Sequence, residues 1–172
     1  MNLKIPAAVA FAAALLWGCA TAQRIDAAGD VHALLVSIRD NDQAAFDAHV
    51  DRPALKREIE ARLMTEVGPA KSGGAGLKAL GALLAPTLAD MAGEALLQPQ
   101  VFRQVAEYYG YKPATPIPGQ LAISSTLQAL PDGRVCATRK KNGPCLLIFT
   151  RQDGVWRLTG FEGALSELRL KT

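Results

Sequence analysis

Cysteine and histidine, the residue types most often at the centre of chemistry, are scarce in this chain: three cysteines and two histidines among 172 residues. Cys19 follows Gly18 just where a charge-free run from Ile5 to Trp17 stops. A thiol beside a small residue at the end of such a run is suited to acylation, so Cys19 is the candidate lipidation residue. If Cys19 is committed to lipid, Cys136 and Cys145 remain as an even pair, and in an oxidising compartment an even pair reads as a disulfide. No C-x-x-C occurs, which argues against thioredoxin-like exchange and against a zinc ribbon. His32 and His49 fall on different predicted helices, without a second histidine or cysteine at ligand spacing. Asp40, Asp42, Asp47 and Asp51 cluster in sequence, but the glycine and glutamate of an EF-hand loop are missing, and helix capping explains Asp42 and Asp51. G-x-S-x-G, Walker A and H-E-x-x-H patterns are absent. The sequence therefore nominates no catalytic residue, no metal ligand and no cofactor.

The segment that carries Cys19 reads as an address. One basic side chain, Lys4, precedes the apolar run, and Gly18-Cys19-Ala20-Thr21-Ala22 closes it with small residues. That is the layout of a secretion signal over residues 1–22. The run is short for a bilayer span, which needs about 20 apolar residues. Two endings fit. Leu16-Trp17-Gly18-Cys19 resembles the lipobox of bacterial lipoproteins, with Trp17 in place of the usual small residue. Ala20-Thr21-Ala22 is an A-x-A site with cleavage before Gln23. The first gives an envelope protein attached to a leaflet, since each buried acyl methylene contributes about 0.8 kcal/mol. Ala20 after the cysteine, in place of Asp, fits the outer-membrane address of lipoproteins that it resembles. The second gives a soluble periplasmic or secreted protein.

Beyond the address, composition bounds the rest. Apolar residues make up 49% and charged residues 20%, an ordinary globular mixture, and the formal net charge of +3 is too mild to argue for nucleic acid. Residues 23–172 are the right length for one domain with its own core. The one basic cluster, Arg139-Lys140-Lys141, lies between two strand-like runs and reads as a solvated hairpin tip.

Residues 24–110 read as helices. Val31, Leu34, Leu35 and Ile38 recur on one helical face. Asp40-Asn41-Asp42 ends that helix and caps a short second one from Gln43 to Val50. Asp51 caps a third, with Pro53 in its first turn and Leu55, Ile59, Leu63 and Val67 on its apolar face. After a glycine-rich break at 68–76, Leu77 to Leu97 is unusually apolar, and Pro86 divides it into two helices. Leu83, Leu88 and Met91 in this stretch form either a core wall or a wall for an apolar ligand. Pro99 opens a further helix that Gly110 stops.

Three prolines in 112–119 mark a change of regime. Residues 120–162 read as four strands: an alternating run over Leu121–Gln128, then Arg134–Thr138, Cys145–Arg151 and Val155–Phe161, with a short helix over 164–170. Tight turns at Pro131-Asp132-Gly133 and Gln152-Asp153-Gly154 make them an antiparallel meander. The expected fold class is α+β, with N-terminal helices packed on one face of a C-terminal sheet of about four strands. Within the meander, a two-residue turn at Lys140-Lys141 sets Cys136 directly opposite Cys145. A tight Asn142-Gly143 turn sets Cys136 opposite Phe149 instead, with the cysteines roughly 13 Å apart along the strands, whereas a disulfide needs Cα atoms within about 7 Å. Pro144 removes a donor where the tight turn needs one. The first register is therefore expected, with a loop around Arg139 to Gly143.

Asp40 through Leu63 (DNDQAAFDAHVDRPALKREIEARL) resembles the signature of a bacterial family of unknown function, DUF2939. The marks are Asp42 and Phe46, then Val50-Asp51 with Pro53, Leu55 and Arg57, and finally Trp156-Arg157-Leu158-Thr159. The resemblance implies a helical first half and a strand-rich end, and it brings no reaction and no catalytic residues. The layout is also similar to NTF2-like folds, whose cones hold small apolar molecules, although architecture alone does not give function. The function expected is a non-enzymatic envelope lipoprotein, held at the membrane by its lipid anchor, that binds a protein partner or an apolar ligand. The rivals are an enzyme with a pocket between sheet and helices, and a purely structural envelope protein.

Overall fold

The computed structural model describes residues 7–66, 94–108, 111–139 and 143–162, with the side chains of 7–19, 63–66 and 108 outside that description. The expected helices across Pro86, the apolar residues Leu83, Leu88 and Met91, and the expected helix over 164–170 all lie outside the described residues.

The first helix, α1, runs from Ala7 to Asp40. Its end is written in local chemistry. Asn41 adopts a left-handed φ of 55°, which asparagine tolerates better than most residues. The Asn41 N–H then reaches the Ile38 carbonyl (3.4 Å) and the Asp42 N–H reaches that of Ser37 (2.9 Å), a Schellman pair that satisfies two otherwise orphaned carbonyls. Asp42 immediately caps α2 (Gln43–Ala48), accepting from the Ala45 N–H at 3.0 Å. Asp51 repeats the device for α3 (Arg52–Glu66), accepting from the Ala54 N–H at 2.9 Å. The second helix ends at Ala48, two residues short of Val50, because Val50 leaves it to bridge to the sheet. Pro99 opens α4 (Pro99–Tyr108), as the missing proline N–H leads one to expect.

The connector after Tyr111 gives way to a helix where alternation suggests a strand. Gln120–Ser124 forms α5, and the first strand shrinks to β1 (Leu127–Ala129). The physical reason is a run of hydroxyls. Ser124, Ser125 and Thr126 each donate to the carbonyl three residues back, those of Leu121, Ala122 and Ile123. Such side-chain bonds to the local backbone compete with a sheet ladder.

The sheet continues with β2 (Val135–Thr138), β3 (Cys145–Gln152) and β4 (Val155–Phe161) in the order β1-β2-β3-β4, all antiparallel. Asp153 and Gly154 both have positive φ, 51° and 85°, as a type I′ hairpin turn requires. One face of the sheet presents Val135, Phe149, Trp156 and Leu158 to the helices. The α1 helix lies against β1, β2 and β4, and α3 against β4. Ala27 and Ala28 are fully buried in α1, and their small size lets the helix axis approach the strands. Val31, Leu34, Phe46, Val50 and Leu55 fill the space between, with the Phe46 and Phe102 rings edge to face at 5.3 Å. Cys136 and Ile148 pair with each other in the ladder and point to the opposite face, where both are also buried.

Candidate functional site

Cys136 and Cys145 are joined by a disulfide, with Cα atoms 5.5 Å apart. The register that brings them together is neither of the two expected from turn lengths. Cys136 stands opposite Ile148 and Thr138 opposite Cys145, with a bulge between Ala137 and Thr138. Leu146 is the extra residue. In an unbroken continuation of the Cys136–Ile148 register, Cys145 faces Arg139 and points away from Cys136, because a one-residue slip inverts the face. The bulge absorbs that residue and returns Cys145 to the face of Cys136, diagonally across the ladder. The correction is to the register alone; the bond exists.

Around Cys19 the backbone of α1 is unbroken helix. The first described side chain to grip the rest of the molecule is Gln23, whose Nε2 donates to the carbonyls of Gly133 (2.7 Å) and Arg134 (3.5 Å). One turn on, α1 makes a polar cluster with the sheet and with His49. Asp26 accepts from the indole N–H of Trp156 at 2.8 Å, and the Arg151 guanidinium lies 3.3 Å from the same oxygen. Asp30 accepts from the Trp156 backbone N–H at 2.8 Å and faces His49 Nε2 at 3.6 Å. His49 Nδ1 lies 2.8 Å from the Ala45 carbonyl. A carbonyl can only accept, so Nδ1 carries the proton and Nε2 is the nitrogen turned towards Asp30.

A histidine held between a carbonyl and a carboxylate is half of an acid–base device. The other half, a nucleophile or an activated water site, needs a group within hydrogen-bond reach of Nε2, and the neighbour there is Asp30. Asp26 and Asp30 instead fasten α1 to the start of β4 through one tryptophan. Asp51 fastens α3 in the same manner: it caps the helix, accepts from Gln152 Nε2 at 2.7 Å, and its backbone N–H donates to Leu158. Partial burial pushes the Asp51 carboxyl up. The hydrogen bonds from Gln152 and Ala54, with the charges of Arg57 and Arg157, outweigh that and hold it below the ordinary carboxylate range.

At the end of the molecule nearest Cys19 lies an open groove of about 380 Å³ lined by Thr21, Arg24, Ile25, Ser124, Ser125 and Thr126. It forms because α5 runs back along α1. The Pro118 carbonyl meets His32 Nδ1 at 3.0 Å, Gln120 sits against Gly29, and Ser124 and Ser125 reach the level of Arg24 and Ile25. Leu121 is 77% exposed and Ile25 46% exposed.

Asp40 pairs with Arg39, Asp42 caps α2, and Asp47 pairs with Arg52. Among the described residues, no three His, Cys, Asp or Glu side chains come together as metal ligands. Of the basic cluster, Arg139 is exposed, and Lys140 and Lys141 lie outside the described residues. Sequence reasoning missed the Asp26–Asp30–Trp156 cluster, although a signal was present. Two aspartates one turn apart border the buried Ala27, Ala28 and Val31, and a buried indole N–H needs an acceptor.

Comparison with known proteins adds a family. The model described as "Protein of unknown function (DUF2939)" matches residues 8–105, which takes in α1 to α3 and most of α4 and ends before the sheet. No curated protein matches the chain, and no solved structure does.

Proposed function

Because the chain belongs to the DUF2939 family of proteins of unknown function, its role has to be argued from its own residues, and we propose that it is a lipid-anchored protein of the bacterial envelope, facing the periplasm and attached through Cys19. The observation that carries this reading is the position of Cys19. It stands where the apolar run ends and four residues before Gln23, the first described side chain bonded to the body of the domain. The Cys136–Cys145 disulfide is the second support, since such bonds persist in oxidising compartments. No helix among the described residues is long and apolar enough to cross a membrane.

Within that reading the domain is a non-enzymatic binding module for a protein partner or an apolar ligand. Its conspicuous carboxylates, Asp26, Asp30 and Asp51, are already engaged in joining helices to β4. Intact-mass measurement on the mature protein tests the anchor. A mass corresponding to a chain that begins at Cys19 with acyl chains is the expected result. A mass corresponding to a chain that begins at Gln23 points to the second reading, a soluble periplasmic protein, which the grip of Gln23 on the Gly133 turn also accommodates.

A further inference from the structure

We infer that the end of the domain formed by Arg24, Ile25 and α5 is a membrane-facing surface, on which Leu121 and Ile25 enter the interfacial layer of the leaflet and Arg24 meets lipid phosphate. The inference rests on the reading of Cys19 as the lipid anchor and gives that anchor a second point of contact.

Three observations converge. The first is distance. Ile25 is six residues from Cys19 on one continuous helix, about 9 Å along the axis at 1.5 Å per residue. An acylated Cys19 sits at the leaflet surface, so this end of the domain is held against the headgroups whatever the tilt of the rest. The second is composition. Leu121, on α5, is the most exposed of the large apolar side chains among the described residues, and Ile25, on α1, is half exposed. Thr21, Ser124, Ser125 and Thr126 give the groove beside Ile25 a polar lining. The third is charge. Arg24 reaches the Thr21 hydroxyl at 3.3 Å, and among the described residues it has no carboxylate partner. A guanidinium with no carboxylate partner among the described residues, at the end of the domain that exposes Ile25 and Leu121, matches a phospholipid surface, where anionic oxygen borders hydrocarbon. A protein partner has to displace lipid that the anchor keeps at very high effective concentration, so the leaflet is the occupant of this surface.

The test uses the full chain purified from membranes and placed on phosphatidylethanolamine–phosphatidylglycerol vesicles that carry brominated acyl chains. An environment-sensitive fluorophore is attached to a cysteine introduced by Leu121→Cys, by Ile25→Cys, or by Ala44→Cys as a control. Ala44 is exposed and follows the far end of α1, whose last residue, Asp40, lies 15 residues from Ile25, about 22 Å along the helix. Labelling without reductant leaves Cys136 and Cys145 bonded. The expected result is loss of most of the emission at positions 121 and 25 by bromine quenching, with none at position 44. If the protein floats with the vesicles while positions 121 and 25 are as unquenched as 44, the membrane-facing surface is overturned and the anchor stands. If the protein does not float with the vesicles at all, the anchor and the surface fail together.

Discussion

Asp26 is a single carboxylate that joins three elements, because its Oδ2 accepts from the Trp156 indole and lies beside Arg151 while its backbone belongs to α1. Asp26→Ala leaves the Trp156 N–H without its acceptor in a site where that residue is 2% exposed. The expected loss is about 1–3 kcal/mol, the cost of a buried donor left unsatisfied. Urea unfolding followed by tryptophan emission measures it, and in a chain processed at either site Trp156 is the remaining one of the two tryptophans. Asp51 makes a different prediction, in pH. Its folded carboxyl titrates below the ordinary 3.8, so the folded chain binds that proton less readily than the unfolded one. The stabilisation is complete above the unfolded value and is lost as pH falls through the lowered folded value. Asp51→Asn keeps the cap and removes the charge, so its stability falls less steeply than wild type below about pH 4. Asp51→Ala also removes the cap and costs about 0.5–2 kcal/mol near neutral pH. Equal acid slopes for wild type and Asp51→Asn would exclude this account. The capping roles of Asp42 and Asp51 were legible in the sequence because capping is local chemistry. The Trp156 partners were not, because Asp26 and Trp156 stand 130 residues apart and meet only through the tertiary fold.

Among the elements, the β2–β3 ladder separates what spacing reveals from what it hides. Two strands, a pair of cysteines and the need for a common face were enough to expect the Cys136–Cys145 bond. The register was not readable, since a bulge at Leu146 lets the ladder change its count midway, and no residue type announces it. The disulfide closes a short loop, so Cys136→Ser with Cys145→Ser is expected to lose about 2–3 kcal/mol. Thiol counting on denatured, unreduced protein is expected to find neither cysteine reactive, and two reactive thiols from these positions would refute the bond. The α5 helix was hidden for another reason. Leu121, Ile123 and Leu127 alternate as a strand does, yet three consecutive hydroxyls bond to the backbone behind them and wind the segment into a helix. Val155–Phe161, by contrast, was readable to both of its ends, because a Asp-Gly turn precedes it and Trp156 and Leu158 alternate on its buried side.

For the whole molecule, the order of helices first and meander afterwards was enough to foresee an α+β fold with its helices on one face of the sheet. What the polypeptide touches outside itself has a proposed signal in its first residues, where Cys19 ends the apolar run. The lipid-anchor reading predicts that Cys19→Ser shifts the protein from the membrane fraction to the soluble periplasmic fraction without altering the domain, as cell fractionation with an unfolding curve on the released form would measure. A protein that stays with the membrane after Cys19→Ser, with no acyl mass on the wild type, would remove the anchor from consideration.

The isolated parallel bridge between Val50 and Leu158 has a kinetic meaning. The Leu158 N–H donates to the His49 carbonyl and the Leu158 carbonyl accepts from the Asp51 N–H, both at 2.9 Å, so the outer edge of β4 is covered by a segment from the opposite half of the chain. Contacts of such long sequence separation form late, because loop closure has to precede any gain from them. Synthesis proceeds from the N-terminus, so α1 and the turn after α2 are made long before the strand on which they rest. Until Leu158 is available, Asp26, Asp30 and Val50 have no seat, and β3 has a bare edge open to other chains. Closure of the fold thus depends on delivery of the chain through β4, and a polypeptide stopped short of Val155 is left with the β3 edge that the finished molecule covers.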